Sequence, residues 1–133
     1  MCGISGIVHS ENIGRNLFNS IRNLEYRGYD SSGMALLLQG AIDLRKNVGG
    51  IDEVNSLEKL DQMQGSIGIA HTRWATHGAK TDTNSHPHIF SDGLLSLVHS
   101  KLFISLVHNQ LNKFHLLSSL YYFVHRIRII FLL

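Results

Sequence analysis

Cysteine at position 2 is the side chain of this sequence best placed to act as a nucleophile. Removal of the initiator methionine would leave residue 2 with both a thiol and a free α-amine. An α-amine has a pKa of about 7.7–8.0, so it can accept the proton of its own thiol near neutral pH. The position therefore indicates an N-terminal nucleophile that needs no separate histidine. The alternative is that Cys2 is a small buried apolar side chain, the commoner use of a lone cysteine.

A second polar segment, residues 70–78, places a cation, an indole, a hydroxyl and an imidazole close together. Arg73 could bind the α-carboxylate of an amino acid with two parallel hydrogen bonds. Thr76 and His77 could complete the contacts to the carboxylate or the amine, and Trp74 could close over the site and exclude water. The alternative is an exposed basic strand end with a packed tryptophan.

A third segment, residues 24–33, is richer in polar residues and glycine than a simple connection requires. Its functional interpretation places Arg27 near Cys2, where a fixed cation would favour the thiolate. Its structural interpretation is a turn in which Arg27 and Asp30 form a surface ion pair of little energetic value.

Four histidines, His71, His77, His86 and His88, fall within a short stretch and raise the question of a metal. The stretch carries no complete zinc motif, because no cysteine or carboxylate lies in register with the imidazoles. We therefore predict no metal and no cofactor, and expect hydrogen-bonded histidines in a turn fixed by Pro87.

Apolar periodicity predicts strands and helices in mixed order, which is typical of an α+β fold with helices packed outside sheet layers. Ser10 is expected to cap the first helix, which presents Ile13, Leu17, Ile21 and Leu24 on one face. The second helix is expected to bury Val54, Leu57, Leu60 and Met63. The predicted elements are strands at 3–8, 34–38, 41–48, 67–72 and 94–99, with helices from 10 to about 24 and from 52 onward.

Charge is distributed unevenly along the chain. All ten acidic residues lie in residues 1–92, whereas residues 93–133 hold four basic residues and no acid. The basic balance therefore belongs to the tail and is poor evidence for nucleic-acid binding. The apolar stretch 114–133 is interrupted by arginines, so we expect no membrane span.

The single cysteine excludes an internal disulfide, and the N-terminus lacks the features of a signal peptide, so a cytoplasmic location is expected. The composition changes near residue 100, after which Gly, Ala, Pro, Asp and Glu are absent. We therefore divide the chain into a partial domain at 1–99 and an apolar, basic tail at 100–133. The structure of this tail is uncertain, and it resembles the translation of a broken or shifted reading frame.

Four ordered motifs together resemble a known family: Met-Cys-Gly-Ile at 1–4, Leu-Glu-Tyr-Arg-Gly-Tyr-Asp-Ser at 24–31, Ala-His-Thr-Arg-Trp-Ala-Thr-His-Gly at 70–78 and Asn-Ser-His-Pro-His at 84–88. Their order and spacing are similar to those of class II glutamine amidotransferases. The second and third motifs resemble the branch of the glutamine–fructose-6-phosphate aminotransferases (isomerizing), also called glucosamine-6-phosphate synthases. The resemblance covers about residues 1–98.

The resemblance implies an N-terminal nucleophile hydrolase fold, an αββα sandwich of which this chain holds the first half. It implies that Cys2 attacks the carboxamide of L-glutamine, and that a thioester is then hydrolysed to glutamate. In the family, the ammonia serves glucosamine 6-phosphate synthesis in a C-terminal sugar-phosphate isomerase domain, which is absent here. The resemblance assigns glutamine binding to Arg73, Thr76 and His77. It assigns support of the site to Arg27, Gly28, Trp74 and His86.

One departure from the family affects catalysis directly. The family continues Leu-Val-His into Asn-Gly, which form the oxyanion hole, but here Ser100 and Lys101 follow Leu97-Val98-His99. Asn109, which follows a second Leu-Val-His at 106–108 and lacks the glycine, is the other candidate for this asparagine. We therefore expect a weak or inactive glutaminase fragment. The alternatives are a non-catalytic fragment that binds a full-length synthase, and a truncation product without function.

Overall fold

The first half of the chain forms a four-stranded antiparallel sheet. A computed structural model describes residues 2–90, 93, 95–100 and 103–108. The strands of this sheet lie in the order β1-β4-β2-β3. Their bounds are Gly3–Val8 for β1, Ser31–Leu38 for β2, Ala41–Val48 for β3 and Ile67–Arg73 for β4. The N-terminal strand therefore pairs with β4, the strand that leads into the 70–78 motif.

Two helices cover one face of this sheet. They are α1, Gly14–Arg22, and α2, Ile51–Glu58. The apolar core between helices and sheet is built from fully or nearly fully buried side chains, among them Leu17, Ile21, Met34, Leu36 and Val54. The opposite face of the sheet carries a second, smaller apolar cluster that includes Ala35, Ile69 and Val98.

The periodicity predicted for α1 is confirmed, but the predicted cap is wrong. Ile13, Leu17 and Ile21 are buried together, as their spacing predicts. The helix begins at Gly14, and Ser10 lies outside it. Asn12 fixes the start instead, because its Oδ1 accepts hydrogen bonds from the backbone N–H groups of Gly14 and Gly65, at 3.4 and 2.9 Å.

The hairpin of β2 and β3 has the predicted tight turn. Gln39 and Gly40 both have positive φ, 50° and 83°, as expected for a two-residue turn that matches the strand twist.

The burial predicted for α2 is partly wrong. Val54, Leu60 and Met63 are buried, but Leu57 is 63% exposed. The helix ends at Glu58 because Lys59 adopts the left-handed conformation, φ 55°. Leu60 and Met63 therefore reach the core from beyond the helix, and the helical spacing no longer applies to them.

A second antiparallel sheet lies against the first on the side away from the helices. Its strands are β5, His88–Phe90, β6, Leu95–Ser100, and β7, Phe103–His108, in that order. β6 contacts β1 and β4, which places the end of β6 near the N-terminal strand. The proposed division at residue 99 falls within β6, and the division remains a prediction. Residues 109–133, which include Asn109 and most of the predicted tail, lie outside the described residues.

The order of layers is thus helices, first sheet, second sheet. This is an α+β architecture of mixed elements with antiparallel sheets, as predicted. None of the helices in the described part of the chain has the length and apolarity needed to cross a membrane.

Candidate active site

Most of the predicted site residues line one cavity of about 500 Å³ at the edge of the two sheets. This volume lies within the range usual for small-molecule sites. The predicted residues that line it are Cys2, Arg73, Trp74, Thr76, His77 and His86. Histidines 71, 88 and 99, with Gly78 and Asn84, complete the lining. The fold therefore gathers the N-terminus and two distant motifs around a single space.

The pairing of β1 with β4 brings Cys2 to the cavity. Gly3 lies opposite Thr72 in this antiparallel pair, so Cys2 and Arg73 occupy the next positions at the same edge of the sheet. The Cys2 side chain is half-buried and unoxidised. The Cys2 thiol lines the cavity, and the residue directly precedes the first residue of β1.

Arg73 also organises the loop that follows β4. Its Nη2 donates to the carbonyl of His77, and its Nη1 donates to the carbonyl of Ala79 at 3.2 Å. A guanidinium has five N–H donors, so both terminal nitrogens keep a second N–H for a ligand. Thr76 and His77 are exposed on this loop, and their side chains lie 3.2 Å apart, from Oγ1 to Nδ1.

Gly28 supports the site through close packing. A Cβ atom at Gly28 would lie 2.5 Å from the carbonyl carbon of Arg73 and from the backbone nitrogen of Trp74. Any larger residue would push the end of β4 away. Gly28 thus allows the 24–31 motif to lie directly against the 70–78 motif.

Asp30 is a positioning residue that the sequence analysis assigned only to a surface pair with Arg27. In the structure its partners are Lys80, which forms an ion pair with Oδ1, and the backbone N–H of Ala75, which donates to Oδ2 at 2.7 Å. Its own backbone N–H donates to the carbonyl of Arg73 at 3.0 Å. The hydrogen bond from Lys80 and that from Ala75 hold the Asp30 pKa below its ordinary value of 3.8. Asp30 therefore ties both ends of the 73–80 loop to the preceding segment.

Replacing Asp30 with Asn is expected to destabilise the protein by about 1–2 kcal/mol, because a nearly buried carboxylate loses charge-assisted hydrogen bonds to an exposed lysine and a backbone amide. The folded-state pKa is depressed, so the stabilisation is present above the unfolded value near 3.8 and is lost as pH falls through the lower folded value. Thermal melts of both proteins between about pH 2 and pH 7 test this. The difference in melting temperature should shrink below about pH 4.

Asp52→Asn is the matched control for this prediction. Asp52 also pairs with an arginine, Arg22, but both side chains are more than half exposed. The role given to Asp30 would be contradicted if the difference in melting temperature between the parent and Asp30→Asn did not change with pH. An equal loss of stability in Asp30→Asn and Asp52→Asn would also contradict it.

Trp74 and Arg27 differ in how they relate to the cavity. Trp74 lines it, is 43% exposed, and packs edge-to-face on Tyr29 with ring centroids 5.5 Å apart. Arg27 is not among the lining residues; its guanidinium lies over the ring of Tyr26, 5.4 Å from the centroid. The structure therefore does not bring Arg27 into the cavity. Its role in stabilising the Cys2 thiolate remains a prediction.

One wall of the cavity consists of stacked imidazoles. His71 is fully buried and stacks on His86 with centroids 4.4 Å apart, and its Nε2 lies 3.1 Å from the carbonyl oxygen of His99. This carbonyl can only accept, so Nε2 of His71 carries the proton. Burial lowers the pKa of His71 to about 3 and that of His86 to about 2, so both rings are neutral at physiological pH. The sequence analysis missed His99, which comes from another strand and has no spacing signal.

The segment that carries His86 is fixed by contacts to the first sheet. Lys46 on β3 donates from Nζ to the carbonyl of Ser85 at 2.7 Å, and Asp82 accepts from the backbone N–H of Val48 at 3.1 Å. Asn84 closes the same loop by donating from Nδ2 to the carbonyl of Ala79 at 3.0 Å. The histidine wall therefore rests on the hairpin of β2 and β3.

Ser100, which occupies the position where the motif resemblance predicts an oxyanion asparagine, is the last residue of β6. It directly follows His99, whose carbonyl meets His71 at the cavity wall.

Comparison with known proteins identifies the relatives of the chain. No protein-family model matches it. Residues of the chain match glutamine–fructose-6-phosphate aminotransferases (isomerizing) of Caldanaerobacter subterraneus and Zymomonas mobilis, at 47% and 49% identity over 100 residues. The enzyme of Sulfolobus acidocaldarius matches at 45% identity over 103 residues. Each match covers 75% of this chain.

The chain is a homologue of these aminotransferases. It spans only 16 to 18% of their length, so the aminotransferase relatives extend far beyond the matched segment. The recognised family is thereby confirmed.

The fold comparison agrees with this aminotransferase homology. The glutamine phosphoribosylpyrophosphate amidotransferase of B. subtilis, in a structure with ADP and GMP, has a similar fold with a TM-score of 0.63. The identity is 24%, and the match covers 74% of this chain and 21% of that chain. The chain therefore shares its fold with a glutamine amidotransferase, as predicted, and the roles of individual residues remain predictions.

Proposed function

We propose that the chain is the glutaminase part of a glutamine–fructose-6-phosphate aminotransferase, and that it hydrolyses L-glutamine at Cys2. The observation that carries the proposal is the shared cavity of Cys2, Arg73, Thr76 and His77. A thiol, a forked cation and two further polar groups around one small space match the needs of an amino-acid amide substrate. The substrate class follows from the homologues, whose names specify glutamine.

Removal of Met1 frees the α-amine of Cys2. The reaction begins when this amine takes the thiol proton. The thiolate then attacks the carboxamide carbon of glutamine, and the C–N bond breaks as the departing nitrogen receives that proton and leaves as ammonia. Water next attacks the thioester carbon, the C–S bond breaks, and glutamate and the free thiol are formed. Arg73 holds the α-carboxylate of the substrate, while Trp74 limits access of bulk water.

The names of the relatives imply that the ammonia produced passes to fructose 6-phosphate. Transfer to a sugar phosphate requires a separate isomerase domain, which we propose as the partner of this segment in its longer relatives. Activity of the isolated chain is expected to be low, because Ser100 and Lys101 replace the oxyanion donors of the family. The cytoplasmic location remains a prediction from the sequence.

Covalent trapping tests the proposal. A diazoketone analogue of glutamine should alkylate Cys2 of the Met1-processed chain, and intact-mass analysis should show one adduct because the chain has one cysteine. Excess L-glutamine should protect the thiol, and Arg73→Lys should slow labelling because it loses the fork that binds the carboxylate. Labelling that glutamine does not slow would show general thiol reactivity and would overturn the proposal.

A further inference from the structure

Three imidazoles on the cavity wall form a cluster with the geometry of a metal site. His86, His88 and His99 each offer a ring nitrogen, and these nitrogens lie within 4.8 Å of one another. The ring centroids of His86 and His88 are 4.2 Å apart, and those of His86 and His99 are 4.5 Å apart.

Strand register explains why these residues meet. His88 lies opposite Leu97 in the antiparallel pair of β5 and β6. His99 lies two residues beyond Leu97 on β6, so its side chain is on the same face of the sheet as that of His88, because side chains alternate along a strand. His86 comes from the segment just before β5, where Lys46 donates to the carbonyl of Ser85. The pairing of β5 with β6 therefore holds His88 and His99, and the anchored segment before β5 brings His86 to them.

The protein leaves part of this cluster without hydrogen-bond partners. Among the described residues, no donor or acceptor reaches Nδ1 of His86, although the atom is buried. An unpaired buried polar atom costs about 1–3 kcal/mol, so a ligand that binds this ring would gain by satisfying it. His86 is 4% exposed, His88 is half-buried and His99 is exposed, so the cluster is open to the cavity on one side.

We propose that His86, His88 and His99 bind a divalent zinc ion, with at least one coordination position open to the cavity. Three imidazoles plus an open position is a common zinc donor set. Magnesium and calcium require oxygen ligands, which this cluster does not offer, whereas imidazole suits zinc. Two of the ligands are spaced as His-x-His, and the third comes from the neighbouring strand. This combination forms no recognisable zinc motif along the chain, so the sequence alone predicted no metal.

Two neighbouring cations oppose this site and limit its affinity. Lys46 and Arg73 both lower the pKa of His88 through their charge, after the larger effect of burial. Both cations also donate hydrogen bonds to backbone carbonyls, of Ser85 and of His77. Zinc binding at this site does not depend on glutamine hydrolysis.

Zinc titration of the purified full chain against a chromophoric chelator tests the proposal. We expect one zinc per chain, and a loss of affinity of at least about 100-fold in His88→Gln, because losing a ligand should cost no less than losing a supporting group. His9→Gln is the matched control, since His9 is exposed and is not among the lining residues. It should bind zinc as the parent does. Zinc-free melting curves of His88→Gln and the parent establish that both are folded.

Cys2→Ser separates this proposal from the proposed function. It removes the nucleophile but should retain zinc affinity within a few-fold, because Cys2 is not part of the cluster. X-ray absorption of the zinc-bound chain should show about three imidazole nitrogens at roughly 2.0–2.1 Å. Failure to bind zinc, equal affinity in His88→Gln, loss of binding in Cys2→Ser, or sulfur ligation would each overturn the proposal.

Discussion

Replacing Ser100 and Lys101 together with Asn and Gly is expected to raise kcat for glutamine hydrolysis by about 100- to 1,000-fold. This range is the usual effect of one oxyanion-hole donor in acyl transfer. Position 100 is suited to the donor because it ends β6 directly after His99, whose carbonyl lies 3.1 Å from His71 Nε2 at the cavity wall. Steady-state glutamate release by the parent and the double variant measures the effect.

The single variants make this prediction more specific. Ser100→Asn restores only the side-chain donor, and Lys101→Gly restores only the small residue that allows close backbone approach. Each single variant should therefore raise kcat less than the double variant does. KM should change little, because the oxyanion donor acts on the transition state. A double variant that is folded but no faster than the parent would contradict the placement of the oxyanion hole after His99.

A chain that retains Met1 is expected to turn over glutamine about 100- to 10,000-fold more slowly than the processed chain, the usual contribution of a general base. Retention of Met1 converts the α-amine of Cys2 into an amide, which cannot accept the thiol proton. Two preparations that differ only in treatment with methionine aminopeptidase provide the comparison. Intact mass defines the fraction processed in each.

The melting temperatures of the two preparations serve as the control for folding. Equal turnover would mean that another base activates the thiol, and His77, which lines the same cavity, would then be the first residue to replace.

Those parts of the fold that depend on local pattern could be predicted from the sequence. Ile13, Leu17 and Ile21 are buried on one face of α1 because their spacing follows the helical period. The turn at Gln39 and Gly40 follows from the residue types that tolerate positive φ.

Those parts that depend on contacts between distant segments could not be predicted in this way. The left-handed conformation of Lys59 ends α2, so Leu60 and Met63 reach the core from beyond the helix, whereas Leu57 within the helix is exposed. The role of Asp30 depends on Lys80, which reaches it only when the 73–80 loop folds back.

The candidate site shows the same division. Cys2, Arg73 and Thr76 could be identified from the sequence, because they belong to motifs that resemble a family pattern. The approach of His99 to His88 arises from the register of β5 and β6, and its approach to His71 arises from the packing of the two sheets. No spacing along the chain encodes that approach.

Glutamate release from L-glutamine by the Met1-processed chain, measured beside Cys2→Ala, tests the central claim most directly. We predict slow turnover by the parent and none by Cys2→Ala, with both proteins giving the same melting curve. Equal glutamate release by the two proteins, or none by a folded and processed parent, would contradict the claim that Cys2 hydrolyses glutamine in this cavity.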